Sequence, residues 1–277
     1  MKIVRIILLF CLFFVQVQSA EVPFDPSRGI VEVPVTINGI VVGKFGVDTG
    51  ADRLYVDKTF AEKNNLPIRK RTERAIVGVD GKSEAAAIDL RSFEFAENSL
   101  HDITATVIDI GALTKSKQFG HPDGLIGYEL LQRCYVTVDY QEKTIDLQME
   151  EPSFLEDESF ATIPFDIRYH FILVNAVLND SVEARFILDY CASFTTVTSE
   201  IADALGFDPD APKGNIVSRF AVGNELVSDN VRVLVDDLTN LKERVGDMKI
   251  DGLLGANMLF RHKITVDYKR EKLYIHF

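Results

Sequence analysis

The sequence predicts an all-β protein built as two pseudo-twofold-related β-barrel lobes, with short helices and a central cleft between them. Three observations carry this. Runs of β-branched and aromatic residues alternate with polar ones over short stretches bounded by Asn, Asp and Gly. Helical patterning is confined to brief segments after such runs. Finally, the first half recurs in the second. Asp123-Gly124-Leu125-Ile126-Gly127 returns as Asp251-Gly252-Leu253-Leu254-Gly255, and Val136-Thr137-Val138-Asp139-Tyr140 as Ile264-Thr265-Val266-Asp267-Tyr268, both at an offset of 128 residues.

The chain has 277 residues and 47% hydrophobic content, enough for one large domain or two smaller ones. Residues 1–20 read as a signal peptide. Lys2 and Arg5 open it, Ile6 to Val15 is apolar, and Val17, Ser19 and Ala20 suit a cut after Ser19 or Ala20. A membrane anchor is the alternative, but the apolar stretch is short for a span. The expectation is an exported protein, periplasmic or secreted, with no stable membrane insertion after cleavage. Without residues 1–20 the balance is 28 basic against 42 acidic side chains, a net charge of −14. That argues against nucleic acid and anionic membrane surfaces as partners. Cys134 and Cys191 lie in apolar contexts and read as buried free thiols, with a single bridge as the alternative. No metal-ligand spacing and no phosphate-binding loop is present, so no cofactor is expected.

The first lobe is placed at residues 21–148. Ile30 to Ile37 alternates as a strand, Asn38-Gly39 makes a tight turn, and Ile40 to Val47 returns. Leu54-Tyr55-Val56 is a short strand. Asp57 caps a helix over Lys58 to Asn64, with Phe60 and Ala61 inward. Ala75 to Lys82 reads as a hairpin tipped by Asp80-Gly81. Strands follow over Ala85 to Phe95 and Ile103 to Ile110. Gly111 to Pro122 is a polar loop, and the Gly segment 123–127 leads to a short helix at Tyr128 to Gln132. Tyr135 to Tyr140 and Thr144 to Leu147 close the lobe. The acidic, weakly periodic segment 149–162 reads as a linker. In the second lobe, 163–277, Phe171 to Leu178 matches the first strand, Asn179-Asp180 the turn, and Ala184 to Asp189 the approach to Asp48. A helix over Ser199 to Leu205 stops at Gly206. Arg219 to Leu226 forms a hairpin expected to reach less far than Ile76 to Ile88. The two aspartates differ by 141 positions, so the second half is shorter by 13 residues between its Asp and its Gly segment.

The stretch at the centre of this pattern is Gly46-Val47-Asp48-Thr49-Gly50-Ala51. A buried strand ending on Asp-Thr-Gly delivers one carboxylate to a cleft floor. With the apolar residues before it and Asp123-Gly124-Leu125-Ile126-Gly127 after it, the chain resembles the aspartic peptidases of the retropepsin and pepsin kind, as a single chain with two retropepsin-like repeats. The resemblance implies hydrolysis of a peptide or protein substrate. The catalytic residues would be Asp48 and Asp189, sharing one proton and activating water. Thr49, Gly50 and Ala51 would support the first loop, and Tyr190, Cys191 and Ala192 the second. A hairpin tip at Gly78, Val79, Asp80 and Gly81 would close over the substrate.

The second half departs from the family pattern. Asp189-Tyr190-Cys191-Ala192-Ser193 stands where Asp-Thr/Ser-Gly-Ala/Ser is expected, with Tyr190 bulkier than Thr and Cys191 in place of Gly. If that position needs a positive φ, Cys191 is strained and the second site distorted or dead. Three readings follow. The first is a monomeric endopeptidase using Asp48 and Asp189. The second is a homodimer pairing two copies of Asp48, less economical because the intramolecular partner is at high effective concentration. The third is a peptide-binding protein that has lost the chemistry.

Overall fold

The computed structural model describes residues 21–26, 29–69, 76–77, 82–113, 121–156 and 160–277. The expected signal peptide 1–20 and the expected hairpin tip, Gly78, Val79, Asp80 and Gly81, lie outside the described residues.

Alternating apolar side chains close each half into a six-stranded barrel. In the first, Glu32–Ile37, Val41–Val47, Gly124–Ile126, Tyr55–Asp57, Asn98–Ile108 and Ala86–Phe95 are hydrogen-bonded in that order, and Glu32–Ile37 also pairs with Ala86–Phe95. In the second, the order is Phe171–Leu178, Val182–Leu188, Gly252–Leu254, Thr195–Val197, Leu226–Val235 and Asn215–Val222. It closes between Phe171–Leu178 and Asn215–Val222. Closure removes the exposed sheet edges that would otherwise invite pairing with other chains. Phe45 and Phe93 meet at 5.4 Å in one barrel and Phe186 and Phe220 at 5.0 Å in the other, all fully buried.

The tight turns obey the sequence. Asn38 (φ 54°) and Gly39 (φ 74°) are both left-handed, as are Asn179 (φ 49°) and Asp180 (φ 56°) at the matching corner. Asn and Asp tolerate that region better than other side chains with a Cβ. Each Asn also ties its corner across the barrel. Asn38 Oδ1 accepts from the Arg91 and Ser92 amides, and Asn179 Oδ1 from the Ser218 and Arg219 amides. Asp57 Oδ1 caps its helix by accepting from the Phe60 amide at 3.1 Å, and Phe60 and Ala61 are buried.

A further six-stranded sheet joins the lobes, ordered Val22–Pro23, Thr144–Gln148, Tyr135–Asp139, Lys263–Asp267, Lys272–His276 and Phe160–Pro164. At its centre Thr137 lies opposite Thr265, with their hydroxyl oxygens 2.7 Å apart. These two threonines are equivalents in the repeat, so the pseudo-twofold axis passes between them. The segment 149–162 is not irregular throughout. Ser153–Glu156 makes a 3-10 turn, and the edge strand Phe160–Pro164 begins within the segment. Phe160 and Phe154 pack on Tyr274, at 4.9 Å and 5.7 Å, an apolar anchorage masked by the acidic composition around it.

The shortening of the second half sits in one place. Residues 64–85 separate the helix Lys58–Lys63 from the long hairpin of the first lobe, whereas 206–214 do so in the second. Arg219 to Leu226 is therefore not a shorter counterpart of Ile76 to Ile88. It belongs to the hairpin Asn215–Val222/Leu226–Val235, the equivalent of Ala86–Phe95/Asn98–Ile108, as the matching Asn38 and Asn179 bonds require. Among the described residues, only the first lobe carries the small extra pair Ile76–Val77 and Lys82–Ser83.

Candidate active site

Each lobe carries an aspartate at the end of a central barrel strand. Val41–Val47 runs parallel to Gly124–Ile126, and the Asp48 amide donates to Ile126 O at 3.0 Å. Val182–Leu188 runs parallel to Gly252–Leu254, and the Asp189 amide donates to Leu254 O at 3.0 Å. The Gly segments are needed because the aspartate loop crosses directly over them. A Cβ on Gly127 would lie 2.7 Å from Ala51 O, and one on Gly255 2.7 Å from Ala192 O. The following amides use that closeness, with Tyr128 N donating to Ala51 O at 2.9 Å and Ala256 N to Ala192 O at 2.8 Å.

The two carboxylates converge. Asp48 Oδ1 lies 3.2 Å and Asp189 Oδ2 3.0 Å from the single point that a Cβ on Gly50 would occupy. Their settings are alike. Asp48 Oδ1 accepts from the Gly50 amide and Asp189 Oδ1 from the Cys191 amide, both at 2.8 Å. The Ala51 amide reaches Asp48 O at 3.3 Å and the Ala192 amide Asp189 O at 3.2 Å. Burial, and then the charge of Asp189, push the Asp48 carboxyl above the usual carboxylate range. Burial also raises Asp189, opposed by the amides of Cys191 and Ala192. The pair therefore holds a proton that separate carboxylates would release; aspartic proteases are the standing example of this effect.

Thr49 links the two loops. Its fully buried hydroxyl donates to Leu188 O at 2.7 Å and accepts from the Tyr190 amide at 3.1 Å. The reciprocal link comes from Cys191, whose Sγ donates to Val47 O at 3.6 Å. Burial and both aspartates raise its thiol well above the ordinary value, which keeps it protonated as a donor. Tyr190 is fully buried in the core, and among the described residues its hydroxyl has no hydrogen-bond partner. The expected strain at Cys191 does not occur. Neither Gly50 nor Cys191 has a positive φ, so the loop needs no glycine there and keeps the geometry of its twin. Cys134 and Cys191 are free thiols, the former buried and the latter half-buried.

The stem of the small first-lobe hairpin is described although its tip is not. Ile76 packs on a cluster containing Ala51, Tyr55, Ala85 and Ile108, and Ser83 Oγ accepts from the Asp109 amide at 2.9 Å. Sequence reasoning missed the polar surroundings of the first loop. Asp52 is bonded by Tyr55 Oη and by Arg53 at 2.9 Å. Burial would raise its carboxyl, but those hydrogen bonds hold it below the usual value. His170, from the second lobe, places Nε2 at 3.1 Å from Gly50 O. It is 120 residues away in the chain, and no local motif marks it. Among the described residues no group of three or more His, Cys, Asp or Glu could hold a metal ion.

No curated protein matches the chain. The family model described as "Aspartyl protease" matches it twice, over residues 33–130 and 174–258, one match in each barrel and each spanning that barrel's aspartate and Gly segment. Matched over more than half its length by one family in both of its repeats, the chain belongs to the aspartyl proteases.

Proposed function

We propose that the protein is an exported aspartic endopeptidase, periplasmic or secreted, that cleaves peptide bonds with a water held between Asp48 and Asp189. The convergence of both carboxylates on the space above Gly50 carries this reading. With one proton shared, the ionised carboxylate takes a proton from the water as its oxygen attacks the scissile carbonyl carbon. The protonated carboxyl gives its proton to the carbonyl oxygen. As the tetrahedral intermediate collapses and the C–N bond breaks, the carboxyl that took the water's proton passes it to the leaving nitrogen, and the other carboxylate takes a hydroxyl proton from the intermediate, which restores the singly protonated pair. The dyad titrates as a unit, so neither role belongs permanently to one aspartate.

An extended substrate would lie across the cleft under the first-lobe hairpin, with Gly78, Val79, Asp80 and Gly81 pairing with its backbone. The matching hydrogen bonds around Asp48 and Asp189 favour the single-chain dyad over two copies of Asp48. They also favour a competent second site over one lost at Tyr190 and Cys191. The test is cleavage of a mixed peptide library by wild type, Asp48→Asn and Asp189→Asn. Each substitution should lower kcat at least about a hundredfold, the usual scale of general acid–base catalysis. Full activity of Asp189→Asn would point to a homodimer. Peptide binding without cleavage by wild type would point to a binding protein.

A further inference from the structure

The two aspartate loops are steadied differently. Thr49 crosses to Leu188 O of the second lobe, and Cys191 crosses back through its side chain to Val47 O of the first. The equivalent of Cys191, Gly50, has no side chain. What reaches Gly50 comes from the other lobe. Strands Asp166–Arg168 and Phe171–Leu178 are joined by a two-residue turn with Tyr169 at φ 60°, and the turn sends His170 inward. His170 is 8% exposed, its ring lies 3.9 Å from that of Phe171, and Nε2 is 3.1 Å from Gly50 O. Asp52, two residues beyond Gly50, is near enough for His170 to help hold its carboxyl down.

The pseudo-symmetric corner shows that this contact is particular to the first loop. The residue equivalent to His170 is Gly29, and the equivalent of Asp52 is Ser193. There the bond runs the other way, with Ser193 Oγ donating to Gly29 O at 3.1 Å. A Cβ on Gly29 would lie 2.1 Å from Ser193 Oγ, so no side chain can reach across from that position. Both loops thus send a side chain across the axis, and the first is held in addition at Gly50 O by a histidine from the other lobe.

We infer that His170 is a positioning residue for the dyad. By donating from Nε2 to Gly50 O, it holds the loop whose Gly50 amide bonds Asp48, and so aims that carboxylate at Asp189. It acts through the loop and is assigned no proton transfer in the reaction. The kinetic consequence rests on the proposed endopeptidase reading; the positional one does not.

The test compares His170→Ala, which removes the donor, with His170→Gln, whose amide can restore it. Two readouts are used on the full chain. The first is amide hydrogen exchange at residues 48–51, which needs no catalytic activity. Exchange should accelerate in His170→Ala by about tenfold, the scale of one lost hydrogen bond, and return toward wild type in His170→Gln. The second is peptide cleavage. His170→Ala should lower kcat by about tenfold or more with KM within about twofold, and His170→Gln should recover most of kcat. Unchanged exchange at 48–51 in His170→Ala would overturn the inference. So would equal damage in both variants, or a loss of thermal stability with kcat intact. If the wild type cleaves nothing, the endopeptidase reading fails, and the exchange arm alone still decides the role of His170.

Discussion

Asp48 is a cost as well as a tool. Its carboxyl is raised in the folded protein because burial and Asp189 disfavour its charge. A raised carboxyl contributes stability that is fully present below its ordinary value of 3.8 and is lost as pH rises toward the folded-state value. Asp48→Asn, uncharged throughout, should therefore be close to wild type in Tm at about pH 4 and more stable than it at about pH 8, by more than about 1 kcal/mol. Thermal unfolding across that range checks it, and a Tm difference independent of pH would show that the carboxyl is not strained. Under the proposed mechanism the same proton sets activity. Cleavage should fall as pH rises through the upper titration of the pair, when both carboxylates are ionised and none can donate. Cys191 shows what a residue type leaves out. Its backbone conformation is ordinary, and its thiol does for Val47 O what the Thr49 hydroxyl does for Leu188 O.

At the scale of elements, the floor of the site is a crossing of chains. The aspartate loop passes over the Gly segment so closely that a Cβ on Gly127 would sit 2.5 Å from Arg53 O as well as 2.7 Å from Ala51 O. Both obstacles are backbone and cannot swing aside. Gly127→Ala should cost about 1–3 kcal/mol in urea unfolding and displace the first loop enough to lower kcat sharply. Wild-type stability and rate in that variant would mean the crossing is looser than its hydrogen bonds suggest. The long hairpins show where local patterning misleads. Arg219 to Leu226 reads as a hairpin in sequence and is one, but its counterpart is Ser92 to Asn98 rather than Ile76 to Ile88, because barrel closure assigns it beside Phe171–Leu178. Only pairing partners reveal which strand a hairpin serves.

For the whole molecule, the sheet through Thr137 and Thr265 makes two barrels into one site. Antiparallel pairing of Tyr135–Asp139 with Lys263–Asp267 sets equivalent residues across the axis, and the bonds of Thr49, Cys191 and His170 cross the same axis nearer the cleft. The alternative of two chains each lending one Asp48 has no role for those intramolecular links. The strong negative balance argues against nucleic acid as a partner. If residues 1–20 direct export, mass spectrometry of the protein recovered outside the cytoplasm should show an N-terminus at Ala20 or Glu21. An intact N-terminus in a membrane fraction would show retention as an anchor.

The fold class, the duplication, the turns at Asn38 and Asn179 and the two aspartates were legible in the order of residues. Each is written in short-range chemistry: alternation with a period of two, side chains that accept left-handed φ, and a motif that returns at a constant offset. The convergence of Asp48 and Asp189, the substitution of a thiol for a hydroxyl in the second clasp, the strand at Phe160–Pro164 and the reach of His170 to Gly50 were decided only when the chain closed. They depend on atoms brought together across 100 residues or more. No local propensity encodes such a distance; packing around the shared axis does.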